Sequence, residues 1–125
     1  MRNQLKILLV EDETVNAMLL SEQLKSVGYA IANHVTTGEN AIASVKQNPP
    51  DIILMDIRLA GEIDGIEAAT TIESESDIPI IFITGYDDQT IKERAEKLKP
   101  CGYLIKPFEI DKLKIIIDSR FALEK

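Results

Sequence analysis

The sequence predicts one α/β domain, a doubly wound five-stranded parallel sheet with five helices. Two observations carry this expectation. Five short β-type runs alternate strictly with segments of helical spacing, and such alternation demands parallel strands joined by right-handed crossovers, with helices on both faces. The residues able to do chemistry also gather where the predicted strands end, which is where functional groups collect in a parallel sheet.

The elements follow in order. Leu5–Val10 is a short Leu/Ile/Val run and reads as the first strand. Ala17, Leu20, Leu24 and Val27 then fall at i, i+3, i+7 and i+10, one face of a helix that Gly28 ends. Ala30–Val35 is a more polar strand, carrying Asn33 and His34, and its mixed composition suits a sheet edge. Thr37 opens a second helix with a stripe at Ala41 and Val45, and Pro49-Pro50 separates it from the strand Ile52–Met55. Asp64 with Glu67 has capping-box spacing ahead of a helix bearing Ile66 and Ala69. The run Ile78–Ile83 is the fourth strand, and Asp87-Asp88 opens a helix striped by Ile91, Ala95 and Leu98. Pro100-Cys101-Gly102 turns into the last strand, Tyr103–Ile105, and Ile110, Leu113, Ile117 and Phe121 stripe the last helix. The consecutive Ile115, Ile116 and Ile117 exceed what one stripe needs; core packing explains most of this, with an interaction surface as the alternative.

Bulk properties narrow the function. The 125 residues fit one domain, and 45% hydrophobic with 28% charged is a globular composition rather than a disordered one. A net charge of −7 argues against a nucleic-acid surface and suits a binder of cations or of a basic partner face. The single cysteine, Cys101, excludes an internal disulfide, and no Cys/His ligand spacing is present. The apolar run at the start is too short for a signal-peptide core, and none approaches the roughly 20 residues that span a bilayer. A cytoplasmic protein without a membrane segment is expected, with Cys101 an inert, partly buried thiol.

The first strand ends in Glu11-Asp12, the third in Asp56, the fourth in Thr84 and the fifth in Lys106-Pro107. A lone Asp after a strand is ordinarily a helix cap; capping does not explain five such groups on one rim. Three carboxylates in one pocket repel one another and raise each other's pKa unless a cation sits among them. A hard divalent ion with oxygen ligands, Mg²⁺ above all, resolves that conflict and leaves positions for phosphate oxygens. A carboxylate nucleophile, an ammonium and a hydroxyl donor are the parts that phosphoryl transfer requires.

The stretches Ile7-Leu8-Leu9-Val10-Glu11-Asp12-Glu13, Pro50-Asp51-Ile52-Ile53-Leu54-Met55-Asp56-Ile57, Asp64-Gly65, Pro79-Ile80-Ile81-Phe82-Ile83-Thr84 and Tyr103-Leu104-Ile105-Lys106-Pro107-Phe108 together resemble the receiver domains of two-component response regulators, over essentially the whole chain. The resemblance implies the flavodoxin-like strand order 2-1-3-4-5; residues 1–125 are expected to form a single receiver domain with no output domain in this chain, which is either a whole protein or a piece of a longer one. It implies that Asp56 accepts a phosphoryl group from the phosphohistidine of a sensor histidine kinase or histidine phosphotransfer protein. Asp12, Glu11 (partly through water), Asp56 and the backbone carbonyl of Arg58 match the family's Mg²⁺ ligands. Lys106 matches the phosphate-binding lysine, and Thr84 and Tyr103 match the switch pair, with Tyr103 expected to turn inward on phosphorylation. The implied output surface comprises the fourth helix, fifth strand and fifth helix, which also serves for a homodimer, and the Lys106-Pro107 bond is expected to be cis. Arg58 and Tyr86, two residues beyond Asp56 and Thr84, flank the approach of a hydrolytic water and are expected to slow dephosphorylation.

Three positions depart from the commonest family pattern. Ala60 stands where many relatives have proline, Gly61-Glu62-Ile63 lengthens the loop after Asp56, and Glu11 replaces the more frequent Asp. A phosphatase of the haloacid-dehalogenase type needs a second Asp two residues after the nucleophile; Arg58 occupies that place, so an enzyme is not expected. A phosphorylation-independent binding module ordinarily lacks the acceptor or the lysine, and both are here. A flavin carrier lacks support, because no Gly/Ser/Thr-rich loop follows the first strand. His34 is expected to lie away from the acidic rim as a solvated or packed side chain.

Overall fold

A computed structural model describes residues 4–85 and 87–121. The elements run β1 (Lys6–Val10), α1 (Thr14–Ser26), β2 (Ala30–Val35), α2 (Gly38–Gln47), β3 (Ile52–Asp56), α3 (Gly65–Glu75), β4 (Ile80–Thr84), α4 (Gln89–Glu96), β5 (Gly102–Ile105) and α5 (Ile110–Arg120). All strand pairs are parallel, in the order β2-β1-β3-β4-β5. The expected flavodoxin-like topology is what forms, with the polar Asn33/His34 strand at one edge.

Alternation along the three central strands divides the core in two. Leu8, Val10, Ile53, Met55 and Phe82 face α2, α3 and α4, where Ala41, Val45, Ile66, Ala69, Ile72 and Ala95 meet them. Ile7, Leu9, Leu54, Ile81 and Ile83 face α1 and α5 through Ala17, Leu24, Leu113 and Ile117. Each such fully buried Ile, Leu or Phe contributes about 2 kcal/mol relative to exposure, so both layers are pinned to the sheet.

Local signals set the boundaries. Thr37 accepts the Asn40 N–H, Asp88 accepts those of Thr90 and Ile91, and Asp64 with Glu67 forms a full capping box. Gly28 follows α1 at φ +104°, the left-handed position where a side chain would be strained. β4 begins two residues later than the apolar run suggested, since Pro79 has no N–H to give; its carbonyl still accepts from Ile53 N at 3.0 Å.

The lengthened loop after Asp56 is tied back to the start of α2. Thr37 and Ala60 form an isolated parallel bridge, and Glu39 Oε2 accepts the Glu62 N–H at 3.0 Å. Gly61 supplies φ +96° at that contact. The outer face of α1 carries exposed Val15, Met18 and Leu19 beside the buried Ala17/Leu24 stripe. Among the described residues no helix is long and apolar enough to cross a membrane.

Candidate functional site

The carboxyl ends of β1, β3, β4 and β5 bring Glu11, Asp12, Asp56, Thr84 and Lys106 to one rim, as the strand order requires. Glu11 and Asp56 are buried at 4% and 6% exposure and Thr84 is fully enclosed, whereas Asp12 lies at the surface. Lys106 reaches in from behind β5, on the far side of a cis peptide bond to Pro107. Its Nζ donates to Glu11 Oε1 and to Asp56 Oδ2, both at 2.8 Å. The second oxygen of Glu11 accepts the Glu13 N–H at 2.9 Å, and Asp56 Oδ1 accepts the Arg58 N–H at 3.2 Å.

Ligand oxygens of Glu11, Asp12 and Asp56 all lie within 4.8 Å of one another. Burial, followed by the charge of Glu11, pushes the Asp56 carboxyl up to about 6, even against the lysine that draws it down. Desolvation and then Glu11 raise Asp12 as well. Burial raises Glu11 too, but the hydrogen bonds from Lys106 and from the Glu13 N–H outweigh it and leave its carboxyl below the usual range. Lys106 is lowered by burial and raised further by its two carboxylate partners, so it stays charged. One ammonium among three carboxylates leaves two negative charges uncompensated when all are ionised. That donor set, hard oxygens with excess negative charge, fits a small divalent cation such as Mg²⁺.

Backbone packing explains why the pocket is so tight. Gly65 opens α3 directly against Asp56: a Cβ there would lie 2.1 Å from the Asp56 carbonyl oxygen, and the Gly65 N–H already donates to Ile57 O at 2.7 Å. Only glycine admits that approach.

The Tyr103 ring packs against the Leu8/Phe82 side of the core, and its hydroxyl is buried without a hydrogen-bond partner among the described residues. Burial raises its pKa, with the charges of Asp87, Asp88 and Glu96 adding to the effect. His34 corrects an expectation. It does not stand away from the rim: its Nε2 lies 2.8 Å from the backbone carbonyl of Glu11. The strand order carried the signal, because β2 beside β1 sets its carboxyl end next to Glu11. Cys101 is half-buried, with burial raising its thiol, as expected. Tyr86 lies outside the described residues.

The doubly wound sheet thus carries an acidic triad, an enclosed threonine and a lysine on one rim, a donor set suited to a cation and a phosphate. Residues 7–118 match the response regulator receiver domain, and the chain belongs to that family. It is 34% identical over 119 residues to the transcriptional regulatory protein PdtaR of Mycobacterium tuberculosis, covering 93% of this chain and 58% of that protein. The chain thus spans little more than half the length of that relative. The signal receiver domain of a modulated diguanylate cyclase from Desulfovibrio desulfuricans G20 superposes with a TM-score of 0.88 at 36% identity, covering 98% of this chain and 100% of the other. The receiver domain of a sensor histidine kinase from Pseudomonas aeruginosa PAO1, solved with magnesium coordinated in its active-site cleft, superposes with a TM-score of 0.83 at 33% identity. That match covers 94% of this chain and 97% of the other.

Proposed function

We propose that the chain is a phosphoacceptor switch in which Asp56 takes a phosphoryl group from the phosphohistidine of a sensor histidine kinase or histidine phosphotransfer protein. The observation that carries this reading is the double contact of Lys106 with Glu11 and Asp56, in a carboxylate cluster fit for a divalent cation. An Asp56 carboxylate oxygen attacks phosphorus, the P–N bond breaks, and its electron pair remains on the imidazole nitrogen. Asp12, Glu11, Asp56 and the Arg58 carbonyl would hold Mg²⁺, which when bound supplies charge neutralisation at the phosphoryl oxygens. Lys106, released from Asp56, pairs with a phosphoryl oxygen, and the Thr84 hydroxyl donates to another.

The response surface is α4, β5 and α5, reached through Thr84 and Tyr103, and it is where a homodimer would form. Arg58 and Tyr86, two residues beyond Asp56 and Thr84 in the sequence, restrain hydrolysis. The donor docks on α1, where exposed Leu19 lines a groove of about 470 Å³ together with Glu11, Lys106 and Phe108, and where Val15 and Met18 are exposed on the same helix. No turnover of substrate is involved beyond the chain's own phosphorylation and dephosphorylation, and the setting is cytoplasmic.

A second reading is a protein-binding module of the same fold that acts without phosphorylation. Phosphoramidate, a small P–N donor, separates the two. A gain of one phosphate with Mg²⁺ and none in EDTA, read by intact mass, supports the switch. No gain under either condition favours the binding module.

A further inference from the structure

His34 contacts the site through a backbone atom, and the bond has a definite direction. A carbonyl oxygen carries no proton, so Nε2 must be the donor in its 2.8 Å contact with Glu11 O. The backbone that carries the ring is tied to its surroundings: Asn33 Oδ1 accepts the His34 backbone N–H at 2.9 Å, and Asn33 Nδ2 donates to the buried Ser44 Oγ at 3.1 Å. Glu11 is thereby fixed at every polar atom. Its N–H donates to Val35 O at 3.0 Å, one carboxylate oxygen meets Lys106, the other meets the Glu13 N–H, and its carbonyl meets His34.

We propose that His34 is a positioning residue of the cation site, acting through the peptide that joins Glu11 to Asp12. This inference rests on the receiver reading of the site. The Glu11 side chain has anchors of its own in Lys106 and Glu13 and does not need His34. Asp12 differs: it is surface-exposed and follows directly on the carbonyl that His34 grips. Release of that carbonyl frees the peptide plane to rotate and swings the Asp12 carboxylate out of the 4.8 Å cluster. The Lys106 contacts to Glu11 and Asp56 stay as they are. Loss of the donor therefore weakens cation binding selectively, and groups one step behind a metal ligand typically change affinity by about tenfold to a hundredfold.

The test titrates Mg²⁺ into the whole chain by calorimetry, with wild type, His34→Phe and His34→Gln. Phe keeps a ring for packing but has no donor, and Gln restores an N–H at similar reach. The expected result is an Mg²⁺ dissociation constant about tenfold higher for His34→Phe and recovered to within about threefold of wild type by His34→Gln. Melting temperatures in EDTA should be nearly equal, which separates positioning from a folding defect. Binding by His34→Phe within twofold of wild type overturns the inference alone. So does a Gln variant as weak as Phe, because the donor would then not be what matters. Wild type that takes up no Mg²⁺ overturns the inference and the cation-site reading together.

Discussion

Lys106 Nζ lies 2.8 Å from Glu11 Oε1 and 2.8 Å from Asp56 Oδ2, so one ammonium ties the end of β1 to the end of β3. Lys106→Met leaves two buried carboxylates without their counter-ion. In EDTA at about pH 8 the variant should lose about 2 kcal/mol in urea unfolding, less than a fully buried pair because the lysine is partly solvated. The loss should shrink at lower pH as Asp56 protonates. Millimolar Mg²⁺ should recover part of it, because the cation binds the folded cluster. A variant as stable as wild type at pH 8 contradicts the pairing.

Asp56 makes the metal-free fold sensitive to pH in a definite direction. Burial raises its carboxyl to about 6 from an ordinary 3.8. The folded chain therefore holds this proton more tightly than the unfolded chain does. The associated stability is present in full below about pH 4 and lost as pH rises through about 6. Asp56→Asn escapes that loss. In EDTA it should be more stable than wild type by about 2 kcal/mol near pH 7.5, with most of the difference gone near pH 4.5. Urea unfolding at the two pH values checks this, and a difference that does not change with pH contradicts it.

Tyr103 has a buried hydroxyl without a partner among the described residues. An unmet buried polar group costs about 1–3 kcal/mol, and removing it while keeping the ring's shape relieves that cost. Tyr103→Phe should leave the unphosphorylated chain as stable as wild type or about 1 kcal/mol more stable in urea. A loss of 1 kcal/mol or more would mean that the hydroxyl is satisfied.

Gly65 is irreplaceable for a geometric reason. A Cβ 2.1 Å from the Asp56 carbonyl meets backbone, which cannot swing aside as a side chain can. Gly65→Ala should cost about 3 kcal/mol or more and displace Asp56, the proposed phosphoacceptor. Thermal unfolding checks it; a melting temperature within a degree of wild type contradicts the close approach.

Much of this was legible in the sequence because it rests on local signals. The apolar runs gave β1, β3 and β4, and Asp64 with Glu67 gave the capping box at α3. Glu11, Asp12, Asp56, Thr84 and Lys106 could be placed together because all lie at the carboxyl ends of strands of one parallel sheet. What the sequence hid depends on contacts between distant segments. The bond from His34 to Glu11 needs the β1–β2 register, which shifts between Ile7 and Leu8. The tie from Glu39 to Glu62 joins two acidic residues through a backbone N–H, which no charge pattern suggests. The inward Tyr103 is a choice of side-chain orientation, and neither spacing nor composition fixes that.

Intact mass after incubation with acetyl phosphate and Mg²⁺ tests the central claim, Asp56 as the phosphoacceptor, most directly. Wild type should gain the mass of one phosphoryl group, and Asp56→Asn should gain none under the same conditions. A gain of one phosphoryl group that persists in Asp56→Asn would contradict the account.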